Sequence, residues 1–181
     1  MHGGRLGLDE VIVGLSSLVR TGWMIRGVPP SIGEVVAEHS FSAALLALEV
    51  SLRLRDRGVS IDPWKAAAIA LVHDIGEVVV GDIAKTSGIS REEKRRAEER
   101  ALELLEVHDG VRSLFREFEE GASVEARVAR LAESLATLLR AYYYERLGYD
   151  VSDIRDNMRR VVLELAESLG ATDIVRVFVE G

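Results

Sequence analysis

Residues 70–77 read ALVHDIGE and bring His73 and Asp74 together where a run of small and apolar residues ends. An imidazole and a carboxylate are both ligand types for divalent first-row metals. One and two helical turns before His73 lie Ile69 and Ala66, and before Asp74 lie Ala70 and Ala67. Both polar groups therefore emerge from a face whose other members belong in a core. A carboxylate buried there must be paired, hydrogen-bonded or metal-bound, because burying it alone is expensive. Glu77 follows one turn later on the His73 face, and Asp82 lies in the next loop. His39 shares a helical stripe with Ala43, Leu46 and Val50. Alone on such a stripe, a histidine reads as a satisfied core residue. Beside His73 and Asp74 it completes two imidazoles and a carboxylate. The chain has no cysteine, so a metal would be held by histidine and carboxylate only.

The same dipeptide recurs at His108-Asp109 in a different setting. It closes a strongly charged segment and precedes Gly110. Histidine in a last helical turn interacts favourably with the helix dipole, and a following glycine is a stop signal. Capping and solvent exposure account for this second pair.

Helical periodicity carries these residues. A first helix is expected over residues 8 to 20, then an irregular stretch through Gly27, Val28, Pro29 and Pro30. A second runs from about 36 to 57 and stops at Gly58, a residue suited to a left-handed C′ position. It is apolar nearly all round, with Ala37, Phe41, Ala44, Leu48 and Leu52 on one face and Ala43, Leu46 and Val50 on another. Such a helix is expected to be central. Asp62 followed by Pro63 is an N-cap and N1 pair that opens a third helix, carrying Ala66 to Asp74. Ser90 with Glu93 forms a capping box. Further helices are expected over 123–147 and 152–169, with a short helix or an extended tail at 173–179. No alternating pattern demands a sheet. The expected fold is all-α: a single domain of five to seven helices around one core.

Bulk properties agree with a globular chain. It has 181 residues, 48% hydrophobic and 29% charged, enough for a real core. No apolar run approaches the ~20 residues of a membrane span, and the start, MHGGRLGLDE, shows no secretory pattern. The cytoplasm is the expected location. A net charge of −7 argues against broad nucleic-acid binding, and leaves room for a phosphorylated small molecule met by a local positive cluster or a metal. Glutamine is absent and Asn157 is the sole asparagine. Scarce thermolabile amides suggest a thermophilic source, while a GC-rich genome would equally explain the arginine bias.

The order H…HD resembles the HD-domain phosphohydrolases, metal-dependent enzymes on an all-α fold. RTGWMIRGV (20–28), EVVAEHSF (34–41), ALVHDIGEVVVGDIA (70–84) and SREEKRRAEERAL (90–102) occur in the order and spacing of one subgroup, the 5′-deoxynucleotidases. The resemblance covers about residues 11 to 148, and residues 149 to 181 are expected to complete the domain. It implies phosphate release from deoxyribonucleoside 5′-monophosphates with one divalent ion: manganese, cobalt, zinc, nickel or iron. His39, His73 and Asp74 would be ligands, and Glu77 would activate or orient the attacking water. Arg20 would meet the phosphate, Trp23 the sugar or base, and Asp82 the sugar. Read without the resemblance, Arg20 is a helix C-terminal charge and Trp23 a core aromatic. The family also implies a homodimer, for which the sequence shows no interface.

Two positions depart from the subgroup. The fourth ligand is normally an aspartate in an Ala-Asp-Lys motif, and here Ala132-Glu133-Ser134 stands at that place. A glutamate oxygen binds the same metals with a different reach. Periodicity is not decisive: Glu133 lies nearly opposite the stripe of Val128, Leu131, Leu135, Leu138 and Tyr142, with Ala129, Ala136 and Arg140 as its own neighbours. The resemblance implies that it is the fourth ligand, while periodicity alone allows an exposed glutamate paired with Arg140 or Arg130. Lys85 replaces a common proline, either adding charge near the pocket or lying in solvent. The run REEKRRAEER forms i,i+4 pairs, Lys94 with Glu98 among them, and reads as a solvated face. Two other readings stay open: an HD-fold phosphatase or phosphodiesterase for another nucleotide, and a helical nucleotide- or metal-binding protein without turnover.

Overall fold

The computed structural model describes residues 4–84 and 87–179, so Lys85 lies outside the described residues. Ten helical segments follow one another: α1 (Leu8–Leu15), α2 (Thr21–Ile25), α3 (Val36–Asp56), α4 (Pro63–Val72), α5 (Glu77–Val80), α6 (Arg91–Glu103), α7 (Asp109–Glu120), α8 (Val124–Arg146), α9 (Ser152–Ser168) and α10 (Thr172–Val179). Among the described residues no strand forms; Leu6–Leu105 and Val19–Val35 are isolated bridges. The all-α expectation holds, with more segments than foreseen. The additional pieces are α2 and α5, which are too short for periodicity to reveal, and α7.

The core is a layer of α3, α4 and α8, with α9 against α8. Ala43, Ala47 and Val50 from α3, Ile69 and Ala70 from α4, and Leu131, Leu135 and Leu138 from α8 pack into one cluster. Small residues on α3 and α4 let the helix axes approach closely while leucines from α8 fill the space between them. Gly58 ends α3 at φ 87°, as expected of a C′ glycine. Asp62 caps α4, its carboxylate accepting the amides of Trp64 at 3.0 Å and Lys65 at 3.2 Å. α10 resolves the last segment as helix, with Ile174, Val175 and Val179 turned inward.

Several expectations are corrected. α3 is not central all round: its buried stripe runs through Val36, His39, Ala43, Ala47, Val50 and Leu54, while Phe41 and Leu45 stand exposed. α1 stops at Leu15 because the chain then turns extended to pair with residues 33–36. Arg20 N donates to Glu34 O at 2.9 Å and Val36 N to Leu18 O at 2.9 Å. Gly33 permits that pairing, since a Cβ there would lie 2.6 Å from the Val19 side chain. His108 caps the start of α7 rather than closing α6, its Nδ1 accepting the Gly110 amide at 3.0 Å. Exposure and capping of this pair hold, at the opposite helix end, and Gly110 lies inside α7. No helix among the described residues is long and apolar enough to cross a membrane.

Removing a fully buried α8 leucine tests the layer. Leu131→Ala is expected to cost about 2–5 kcal/mol through lost burial and the cavity left behind, read as a lower urea midpoint with an unchanged slope.

Candidate metal centre

α4 ends at Val72, so His73 is its C-cap and Asp74 opens the turn that follows. Successive 3₁₀-type bonds, Ile75 N to Val72 O at 3.1 Å and Glu77 N to Asp74 O at 3.0 Å, tighten this turn. The His73 and Asp74 side chains thereby converge, with His73 Nε2 3.1 Å from Asp74 Oδ2. From α3, His39 faces them with its ring centroid 5.2 Å from that of His73. Ligand atoms of His39, His73 and Asp74 all lie within 4.8 Å of one another. Both imidazoles are buried, as their apolar stripes foretold.

The donor set fits a divalent ion. His73 Nδ1 lies 2.7 Å from Ala70 O; an imidazole N–H donated there leaves the Nε2 lone pair facing Asp74. His39 Nε2 is buried without a hydrogen-bond partner, an arrangement that is costly unless the atom is used. Burial, reinforced by Arg20 and His73, pushes His39 well below the usual histidine range, so its imidazole is neutral and ligand-competent. Burial opposes charge on His73 too, but the Asp74 carboxylate outweighs it and raises the group to about 9. Asp74 is held far below the usual carboxylate range against its own burial by His73, His39 and Arg20. A cation at this point would take over the counter-charge that the His73 imidazolium supplies without it.

Arg20 stands over the cluster. Its Nη1 lies 3.0 Å from His39 Nδ1, 3.3 Å from Thr137 Oγ1 and 3.3 Å from Glu34 Oε2. A guanidinium only donates, so Nδ1 is the acceptor there. Ligation through Nε2 moves the ring proton to Nδ1 and removes that acceptor, leaving Glu34 and Thr137 to hold Arg20. Burial disfavours the charge, yet Glu34, Asp74, Asp82 and Glu133 together keep Arg20 firmly protonated.

Glu34 is the residue that sequence reasoning left without a role. It is 1% exposed and accepts from Arg20, from Trp23 Nε1 at 2.9 Å and from Arg140 Nε at 3.2 Å. Its amide donates to the Tyr144 hydroxyl at 2.7 Å. Trp23, expected beside sugar or base, is 2% exposed and packs against Tyr144, with ring centroids 5.1 Å apart. It stands behind Arg20 as a core aromatic that buttresses Glu34. Asp82 joins the start of α2: its carboxylate accepts the Thr21 amide, and its carbonyl accepts the Thr21 hydroxyl at 2.8 Å.

Glu77 is buried at the head of α5. Its Oε1 accepts from Lys94 Nζ at 3.0 Å, and Oε2 is buried without a partner. Burial, with Asp74 adding to it, pushes Glu77 up to about 8 against the pull of Lys94. The solvated-face reading of α6 fails for this one turn, because Lys94 also meets the buried Glu98 at 3.2 Å. Spacing alone revealed the Lys94–Glu98 pair but not that α5 would cover it.

Glu133 is half-buried on α8 and stands outside the compact three-residue cluster. Its charge raises the proton affinity of both His73 and Arg20. Periodicity leaves its face undecided; in the structure Ala129 and Ala136 on either side are buried and α8 is covered almost all round. Of the two expected arginine partners, Arg140 bonds Glu34 and Glu38, and Arg130 donates to the Phe118 and Glu119 carbonyls.

A group whose proton is held more tightly folded than unfolded stabilises the fold below its unfolded pKa and loses that contribution as pH rises through its folded value. For Glu77 the window runs upward from the ordinary carboxylate range to about 8. Metal-free Glu77→Gln is therefore expected to gain stability relative to the parent as pH rises through that window, measured by urea unfolding at several pH values. A constant difference would remove burial as the cause.

The HD domain family matches residues 14–168. The chain is 31% identical over 163 residues to human "5′-deoxynucleotidase HDDC2", covering 86% of this chain and 76% of that one. The Dictyostelium discoideum protein of the same name is 31% identical over 147 residues, 77% and 76% of the two chains. Among solved structures, the PH0347 protein from Pyrococcus horikoshii OT3 superposes with a TM-score of 0.79 at 32% identity, over 96% of this chain and 99% of that one. A conserved hypothetical protein from Pyrococcus furiosus gives 0.81 at 29%, with the same coverage. The chain that carries these two buried imidazoles and the adjacent carboxylate at the junction of α3 and α4 belongs to the HD domain family.

Proposed function

We propose that the protein is a metal-dependent phosphohydrolase that releases phosphate from nucleoside 5′-monophosphates, with preference for the deoxy forms. One observation carries this reading. The His39–His73–Asp74 cluster lies between a protonated guanidinium and a buried carboxylate with one unpartnered oxygen, in a chain whose relatives are 5′-deoxynucleotidases.

A divalent ion held by His39, His73 and Asp74 would lower the pKa of water and offset charge on the phosphoryl oxygens. Glu133 is the proposed fourth oxygen donor, half-buried on α8 where the family places its aspartate. Arg20 is the phosphate-binding fork, steered by Glu34 and Thr137 so that its planar donors face the cluster. Glu77 takes the proton of the attacking water at Oε2. A carboxyl poised near neutrality suits that task, because it accepts a proton readily and still ionises at working pH. Asp82, tied to Thr21, sets the loop that borders the sugar.

A cytoplasmic location goes with this substrate class. Homodimerisation is proposed as well. Phe41 and Leu45 leave apolar area exposed on α3, and Phe41 borders a groove with Ser16, Val35 and Arg140. Light scattering is expected to give twice the chain mass, and Phe41→Glu to return a monomer.

The activity test is phosphate release from a panel of ribo- and deoxyribonucleoside 5′-monophosphates after loading with each candidate metal. Turnover is expected with at least one deoxynucleotide and is lost on chelation. His73→Ala and Asp74→Ala are expected to lose the bound metal, and Glu77→Gln to keep it while losing about 10²–10⁴-fold in rate. Glu133→Ala is expected to weaken metal binding. Unchanged metal content in Glu133→Ala sinks the fourth-ligand assignment, and no release from any deoxynucleotide sinks the substrate.

A further inference from the structure

α6 approaches the site at one place. A Cβ on Gly76 would lie 3.3–3.4 Å from the Cβ, Cα and carbonyl oxygen of Glu98, so the α6 backbone rests on the residue immediately before Glu77. One turn back on α6, Lys94 Nζ spans two buried carboxylates, 3.0 Å from Glu77 Oε1 and 3.2 Å from Glu98 Oε1. The Lys94 side chain is two-thirds covered, at 31% exposure. This geometry is specific. Glu77 is engaged through one oxygen, and its other oxygen is buried with no partner.

We infer that Lys94, anchored by Glu98, is a positioning residue that clamps Glu77 through Oε1 and leaves Oε2 free for the proton of the attacking water. The role rests on the phosphohydrolase reading above. A carboxylate without such a clamp rotates about its terminal torsion and presents either oxygen. It would also lose its nearest cation in a pocket where Asp74 and Asp82 already oppose its charge. Glu98 keeps the ammonium from being drawn wholly onto Glu77, which would bury a closed ion pair and spend the base. Gly76 lets α6 approach this closely, because a Cβ there would require α6 to give way by a few tenths of an ångström.

The variants are Lys94→Met, Lys94→Arg and Glu98→Gln, assayed on the nucleotide the wild type turns over fastest. Lys94→Met is expected to lower kcat by about 10²-fold, within the range of a misplaced general base, with KM and metal content held within about threefold. Lys94→Arg, which also reaches both carboxylates, is expected to restore most of the loss, and Glu98→Gln to lie about tenfold below wild type. Wild-type kcat in Lys94→Met overturns the inference. So does a rise in KM at constant kcat, which would put the lysine on the substrate phosphate. If Lys94→Met fails to fold, Glu98→Gln and Lys94→Arg decide by the same criteria.

A second readout is independent of turnover: carbon-detected NMR titration of the Glu77 carboxyl in the metal-free protein. The charged groups around it are Asp74 and Asp82 from its own segment and Lys94 and Glu98 from α6, while α1 meets α5 through Gly14 against Val78. Lys94→Met is expected to raise the midpoint by a unit or more, and Lys94→Arg to leave it unchanged. An unshifted midpoint in Lys94→Met overturns the clamp. Absence of phosphate release in the wild type would instead overturn the phosphohydrolase reading, and the titration would still decide the clamp.

Discussion

Charges inside an apolar helical bundle must each be answered by another, and the architecture of this protein follows from that requirement. Glu34 sits at the centre of the answer, buried and shared among Arg20, Trp23 and Arg140. Replacing one partner of a buried pair strands the other at a cost of several kcal/mol. The segments that supply these partners are therefore locked together: the pairing of Val19 with Val35, the short α2, and the middle of α8. Arg20 is held above the histidines as a by-product of satisfying Glu34. Position in the site and satisfaction of the core are the same set of contacts.

The second half of the site balances charge differently. Asp74, Glu77 and Glu98 place three carboxyl groups close together with one lysine between them. His73 answers Asp74, and Lys94 divides itself between the other two. Lys94 opposes but does not cancel the burial that pushes Glu77 up to about 8, and Glu77 Oε2 is buried without a partner. The two ends of the centre thus acquire opposite characters. Near Arg20 burial keeps the imidazole of His39 neutral, and near Lys94 burial pushes a carboxyl up to about 8, the environments that the proposed ligand and proton acceptor call for.

Much of this was legible before the fold was known. The stripes under His39, His73 and Asp74 placed all three in the interior, and Asp62-Pro63, Gly58 and Ser90–Glu93 marked helix ends where the structure has them. The misreadings share a cause. Phe41 was assigned to the core and Lys94 to a solvated face, each from the periodicity of its own helix, and periodicity left the face of Glu133 undecided. Periodicity reports how many sides of a helix are apolar, but not which neighbour covers each side. α8 is covered almost all round, α3 is left open on its Phe41 side, and one turn of α6 lands on Gly76. His108 illustrates a related limit, since a capping histidine beside glycine can close one helix or open the next, and only chain direction in space decides.

From sequence alone came the all-α class, the metal-ligand chemistry of the histidine-aspartate pair, the absence of thiolate ligands and the family resemblance, because these depend on residue type and on short-range spacing. Only the tertiary structure decided that Glu34 orders Arg20, that Trp23 lies behind the centre, and that Lys94 reaches Glu77. Those contacts join residues from 11 to 121 positions apart, counted from Trp23–Glu34 to Trp23–Tyr144. No local pattern encodes them; they exist because α3, α4 and α8 bury their small-residue faces against one another, and that close-packed arrangement carries the polar groups with it.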